Sequence, residues 1–235
     1  MNTSFADIEK KENRKDLIIS ICVFLSGFSC FAQLYYFQPL LPDLAKDFIL
    51  SASESSFAIS FSTLGMVFGL FTTMFVADRI PRKKMIGTGL LSSSIFSVAA
   101  SFSPTFLPLI LLSAAKGFLL SGATSVSMAY IAEEVSSRNK GKIMGLYIAG
   151  NALGGMAGRV ISSWIGALYT WRIASVSIGL ICALFAILFL LFSPRSTNFM
   201  PRKESFHTLI IANLQLITSK ALIPFYLTGG LILGV

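Results

Sequence analysis

The chain has 235 residues, 54% hydrophobic and 13% charged, with a formal net charge of +8 and a mean hydropathy of +0.74. A soluble domain carries about 25% charged residues and cannot hide this much apolar surface at this size. Disordered, collagenous and disulfide-stapled classes are excluded with it, and nucleic-acid binding is excluded because the basic residues are spread over separate loops.

A bilayer core about 30 Å thick needs about 20 apolar residues per helix. After a basic tail over 1–16, six runs meet that rule: Leu17–Phe37, Ser55–Ala77, Met85–Ser103, Leu107–Ile131, Ile143–Ile165 and Ile173–Ser193. The first run continues through Gln33, Tyr35 and Tyr36 without a small-residue cleavage site, so it reads as a retained helix rather than a signal peptide. Residues 194–220 are expected to form a cytoplasmic linker. It contains the mildly amphipathic stretch Phe206–Ile217 and the single histidine, His207, read as a solvated loop residue. A further apolar run over 221–235 reads as the start of a truncated seventh helix.

Lys and Arg set the orientation. Fifteen of the nineteen fall in the N-terminal tail and the even-numbered loops, and two, Lys46 and Arg172, in the odd-numbered ones. By the positive-inside rule the N-terminus is cytoplasmic. The remaining two, Lys116 and Arg159, lie inside the fourth and fifth runs, while none of the six runs contains Asp or Glu. Ionisable groups at such depth mark functional positions by default.

Small residues mark where helices pack closely in lipid. Gly65 and Gly69 are four apart in the second run; Gly150, Gly154 and Gly158 form a stripe in the fifth, with Gly155 beside it. Polar stripes complement them. Ser26, Ser29, Gln33 and Tyr36 share a face of the first run, Ser113, Lys116, Thr124 and Ser127 of the fourth, and Tyr147, Asn151, Gly155 and Arg159 of the fifth. The sixth run is mainly aliphatic and aromatic and reads as lipid-facing. The pattern predicts a bundle around a watery cavity, with Gln33, Lys116, Asn151 and Arg159 as lining candidates. Cys22, Cys30 and Cys182 lie in apolar runs without metal spacing and read as packing residues; no metal or cofactor is expected. Gly87-x-Gly89 lacks a third glycine and a strand context, and no nucleophile–base pair is apparent, so an enzyme is not expected.

The turn between the second and third runs reads Asp78-Arg79-Ile80-Pro81-Arg82-Lys83-Lys84, with Asp78 and Arg82 at pairing distance on a helical turn. This loop resembles the loop motif of the major facilitator superfamily, a Gly, three residues, then Asp-Arg-x-Gly-Arg-Lys. Asp78, Arg79, Arg82 and Lys83 match it; Met74 and Pro81 stand where that family prefers Gly. Gly150-Asn151-Ala152-Leu153-Gly154-Gly155 resembles the family's antiporter motif, Gly-Pro-x-x-Gly-Gly, with Asn151 in place of Pro. Three stretches, Gln38–Pro42, Ala129–Glu134 and Gly145–Met156, are similar to the YnfM-like branch of bacterial inner-membrane transporters. In the fourth run, Ser113 stands where the family usually has an Arg four residues before Gly117, and Lys116 where it favours Gln.

The resemblance implies an all-α integral membrane fold: the six-helix N-terminal half of a twelve-helix bundle in the bacterial inner membrane, with substrate held near the midplane between halves. It implies as partners the lipid bilayer, a small-molecule substrate, protons as coupling ion, and a C-terminal six-helix half lying outside this chain. Asp78, Arg79, Arg82 and Lys83 would latch the cytoplasmic side, with Glu133 or Glu134 pairing with Arg138 or nearby loop cations. Gly150, Gly154 and Gly155 would let the fifth helix approach the other half. The leading expectation is a proton-linked exporter working by alternating access. An organic-anion uptake carrier is the alternative suggested by two membrane cations without a membrane acid. A truncated membrane protein with no transport of its own is the third reading.

Overall fold

Lipid offers no partner to a bare N–H or C=O, so a spanning segment must satisfy its backbone internally. The computed structural model describes residues 5–201 and the isolated positions 224 and 228, and every regular element among the described residues is helical. In chain order these are α1 (Phe5–Tyr35), a 3-10 turn (Gln38–Leu40), α2 (Leu41–Asp47), α3 (Ala52–Ser55), α4 (Phe57–Val76), a 3-10 turn (Ala77–Arg79), α5 (Arg82–Ser101), α6 (Phe106–Glu134), α7 (Lys140–Leu168) and α8 (Trp171–Phe192). By its contacts the chain divides into Met1–Met200, which carries the bundle, and Pro201–Val235. The linker stretch Phe206–Ile217, His207 and most of the seventh apolar run lie outside the described residues.

Several helices overrun the apolar runs into charged residues. α1 begins in the basic tail, whose Ala, Glu, Lys and Arg are good helix formers. Pro81 precedes α5, so Arg82, Lys83 and Lys84 form its first turn; α6 continues through Glu133 and Glu134. Loop charges are thereby held on rigid turns. Ser51 and Glu54 form a reciprocal capping box that starts α3 before the chain bends into α4.

Length and apolarity together single out four stretches able to cross a membrane: Glu12–Asp47, Ala52–Arg79, Phe106–Glu134 and Trp171–Phe192. α5 and α7 have the length, but their apolarity is diluted. Ser92, Ser93, Ser94 and Ser97 do this in α5, and the glycines, Asn151 and Arg159 in α7. Many of these residues turn inward, where they meet neighbouring helices rather than lipid.

α1 packs on α7 and α8, α6 on α4 and α5, and α5 on α8. Two of these contacts are backbone-to-backbone seams. Gly65 of α4 lies against the Ala114 carbonyl of α6, and Gly117 of α6 against the Ser62 carbonyl of α4. Gly150, Gly154 and Gly158 of α7 lie against Phe24, Phe28 and Ala32 of α1. The α7 stripe therefore packs inside this half; the expectation that Gly150 and Gly154 face a second half is corrected, because α1 already fills the space a side chain would need. Gly155 sits beside Tyr35 and Phe31 of α1. α8 buries Trp171, Ile178 and Phe189 and exposes Leu180, Leu184, Ile187 and Leu191, as a lipid-facing helix does.

Two apolar cores result. One joins Ile19, Val23, Ile86, Leu90, Leu120, Tyr130 and Phe189 toward the end of the bundle that carries the α4–α5 turn. The other joins Tyr36, Phe37, Leu44, Leu109, Trp171 and Ile178 toward the opposite end. A β-carbon at Gly117 would collide with α4 backbone, so Gly117→Ala should cost about 1–3 kcal/mol by forcing the seam apart. Gly145→Ala, with nothing within 4 Å, should be neutral or slightly stabilising. Melting temperatures in detergent compare the two, and equal values would mean the α4–α6 seam is not tight.

Candidate functional site

Lys116 sits on α6 at the level where the two apolar cores meet. It is 1% exposed, and its Nζ makes no hydrogen bond among the described residues. Nζ lies 4.5 Å from the Tyr36 ring centroid and 4.9 Å from that of Phe37. Those rings are tilted 31° with centroids 4.2 Å apart, so together they roof the ammonium. A desolvated cation–π contact contributes about 2 kcal/mol, and a mid-membrane cation costs about 2.5–3.5 kcal/mol on insertion scales. Two rings are thus the right size of compensation where no acid is present.

Around this layer the interior is polar. Gln33 is fully buried, and its Oε1 accepts from Ser97 Oγ of α5 at 3.2 Å. Ser29, Ser62 and Ser113 are buried alongside, and the Cys182 thiol donates to the Ser29 carbonyl. Gln33 and Lys116 are therefore interior to this half rather than on an open wall.

The other two lining candidates lie on α7. Asn151 is half-buried, its Oδ1 close to Gly27 of α1. Arg159 is exposed, and its guanidinium stacks on the Tyr35 ring at 4.7 Å. The four candidates form two sets on opposite sides of the end of α1, not one lining. A groove of about 530 Å³ between α1 and α7 is lined by Asn13, Asp16, Ser20, Asn139, Lys142 and Leu146, and by none of the four.

At the end of the bundle that carries the α4–α5 turn, Arg82 is a hub. Its Nη2 donates to Asp78 Oδ1 at 2.9 Å and to Glu133 Oε1 at 3.1 Å, its Nη1 to the Ala77 carbonyl at 2.6 Å, and Phe199 lies 5.0 Å from its guanidinium carbon. Burial opposes the charge, but Glu133 and Asp78 outweigh it and hold Arg82 above its ordinary value. Glu134 accepts from Lys15 Nζ at 2.9 Å, Thr197 Oγ1 at 2.8 Å and the Asn198 N–H at 2.8 Å. Lys83 donates to the Ser193 carbonyl, and burial lowers its ammonium below the ordinary lysine value. The α4–α5 turn, α6, α1 and the segment after α8 are thus clasped together. Arg79 and Arg138 are exposed at the rim.

Several partners were not singled out from sequence. Lys15 was read only as a topology charge, and Asp16, which accepts from Ser136 and Asn139, only as part of the tail. At the opposite end Asp47 accepts from Trp171 Nε1 and Arg172 Nη2, both at 3.0 Å, while Arg172 Nη1 donates to the Ser101 and Ser103 carbonyls. The signal for that clasp was present: Lys46 and Arg172 are the only Lys or Arg of the odd-numbered loops, and Asp43 and Asp47 flank Lys46 in the sequence.

The six-helix bundle, with an ion hub at one end, is that of a multi-pass membrane protein. The family model of the Major Facilitator Superfamily matches residues 20–235, and the chain belongs to that superfamily. It is 35% identical over 97% of its length to an uncharacterized transporter of Buchnera aphidicola subsp. Schizaphis graminum, covering 55% of that protein. It is 36% identical over 82% of its length to the inner membrane transport protein YnfM of Escherichia coli K12, covering 46% of it. The chain thus spans about half the length of the curated relatives it matches. Its fold is that of the proton:xylose symporter XylE in complex with 6-bromo-6-deoxy-D-glucose, with a TM-score of 0.72, 16% identity, and coverage of 92% of this chain and 52% of that one.

Removing the hub cation leaves Asp78 and Glu133 facing each other. Arg82→Ala should therefore destabilise the bundle by about 1–3 kcal/mol, discounted for the partial exposure of both carboxylates. Lys15→Ala breaks a pair whose cation is 34% exposed and should cost under about 1 kcal/mol. Thermal unfolding in detergent ranks the two, and equal losses would deny Arg82 its place as the hub.

Proposed function

We propose that this chain is the N-terminal half of a secondary carrier that moves small molecules by alternating access, exporting them in exchange for protons across the bacterial inner membrane. The observation that carries the reading is the Arg82 hub on an otherwise rigid bundle. Glycine seams bind α4 to α6 and α1 to α7, so the half moves as one body. The Asp78–Arg82–Glu133 cluster lies at one end and can break and reform as that body rocks against a second half. Substrate sits near the midplane between halves. The α7 stretch Gly150–Gly155, similar to an antiporter motif, supports export.

An uptake carrier for organic anions is the second reading. It is favoured by Arg159, exposed on α7 without a carboxylate partner among the described residues.

Alternating access is testable without knowing the substrate. Single cysteines replacing Gly145, toward the cytoplasmic end of α7, and Ala167, toward its outer end, should change reactivity in opposite directions when a proton gradient is imposed on vesicles of the full-length protein. Asp78→Asn should slow that exchange several-fold at unchanged membrane abundance. Constant reactivity at both positions would exclude the mechanism.

A further inference from the structure

The two flanks of α7 differ in kind. On one, Leu153, Val160 and Trp164 are exposed and apolar, as a helix facing lipid should be. On the other, Asn151, Gly155 and Arg159 follow i, i+4 spacing beside Phe31 and Tyr35 of α1. A guanidinium facing hydrocarbon is strongly disfavoured, and intramembrane cations turn instead toward cavities. Of these three, Gly155 is buried and Asn151 keeps its Oδ1 buried against α1, so Arg159, the exposed member, is the one that turns toward water or an anion.

Its geometry is selective. The Arg159 guanidinium carbon lies 4.7 Å from the Tyr35 ring centroid, and the exposed group makes no hydrogen bond or ion pair among the described residues. The N–H edge of a guanidinium is a fork that matches a carboxylate with two parallel hydrogen bonds. The Phe31 and Tyr35 rings, with centroids 6.0 Å apart, form an aromatic wall beside the fork. Gly155 puts no side chain over the Tyr35 edge, and even a β-carbon there would approach only to 3.4 Å. Behind the wall, Lys116 holds a second cation under Tyr36 and Phe37, the two residues that follow Tyr35. Coulomb fields carry further where the dielectric is low, so Lys116 adds to the positive potential at the fork. None of the six apolar runs supplies an Asp or Glu to oppose either charge.

We propose that Arg159, Tyr35 and Phe31 form a subsite for a planar aromatic carboxylate, its carboxylate on the Arg159 edge and its ring against the aromatic wall. The subsite rests on the carrier reading and names its substrate class. Arg159 is the contact residue; Tyr35 and Phe31 orient it and stack; Lys116 acts through the field alone.

Benzoate is the probe, with benzamide as the uncharged control and cyclohexanecarboxylate as the non-planar one. Equilibrium binding to the detergent-purified full-length protein should favour benzoate over both by about tenfold or more. Arg159→Gln and Arg159→Lys should each weaken benzoate by about tenfold or more, and Tyr35→Leu several-fold, while Tyr35→Phe retains binding. Wild-type melting temperature and monodisperse elution are required of each variant. Independently of any variant, benzoate should protect Arg159 from phenylglyoxal in the wild-type protein, read by mass spectrometry. Equal affinity for benzamide, no binding up to about 10 mM, or undiminished modification of Arg159 would overturn the subsite. Opposed cysteine reactivity on α7 without benzoate binding removes the subsite and keeps the carrier; benzoate binding with constant reactivity does the reverse.

Discussion

Two glycine seams hold this bundle together. Apolar side chains are no better off against one another than against lipid tails, so helices in a bilayer associate where their backbones can come close. Gly65 and Gly117 bring α4 and α6 together, and Gly150, Gly154 and Gly158 do the same for α7 and α1. α5 and α8 fill the remaining side, with serines turned inward and aliphatic residues outward. Everything else follows from this close approach. It buries the polar layer around Lys116, and it places the polar flank of α7 beside the outer end of α1.

The second constraint is charge. Lys116 and Arg159 lie in membrane helices, and no acid in those helices neutralises them. Three consecutive aromatic residues take that role. Tyr35 stacks under Arg159, while Tyr36 and Phe37 cover Lys116, so one short segment at the end of α1 serves cations from two different helices. An aromatic face attracts a cation without ionising and without needing water. One cation is thereby sealed inside the half and the other left exposed.

The two ends of the bundle are tied differently. The end that carries the α4–α5 turn has a network of ion pairs and hydrogen bonds through Arg82, Glu133, Glu134 and Lys15. At the opposite end Asp47 holds Trp171 and Arg172. Exposed pairs of this kind contribute little individually.

Much of this was legible in the sequence. Apolar run length located the six long helices, and Asp78 with Arg82 announced a pair. Gln33, Lys116, Asn151 and Arg159 stood out because polar groups in lipid need a reason. Three things were not legible. The α7 glycines were assigned to the wrong neighbour, because a small-residue stripe says that something comes close and not which helix it is. The aromatic acceptors were not read as such: Tyr36 stood in a polar stripe of the first run, and nothing local shows that it and Phe37 cover Lys116 while Tyr35 meets Arg159. Lys15 and Glu134 are 119 positions apart, and no local pattern joins them. The sequence by itself determined the helices and their number, since those depend on hydrophobicity along the chain. Only the tertiary structure decided which cation is buried and which is open, since that depends on the order in which the helices pack around α1.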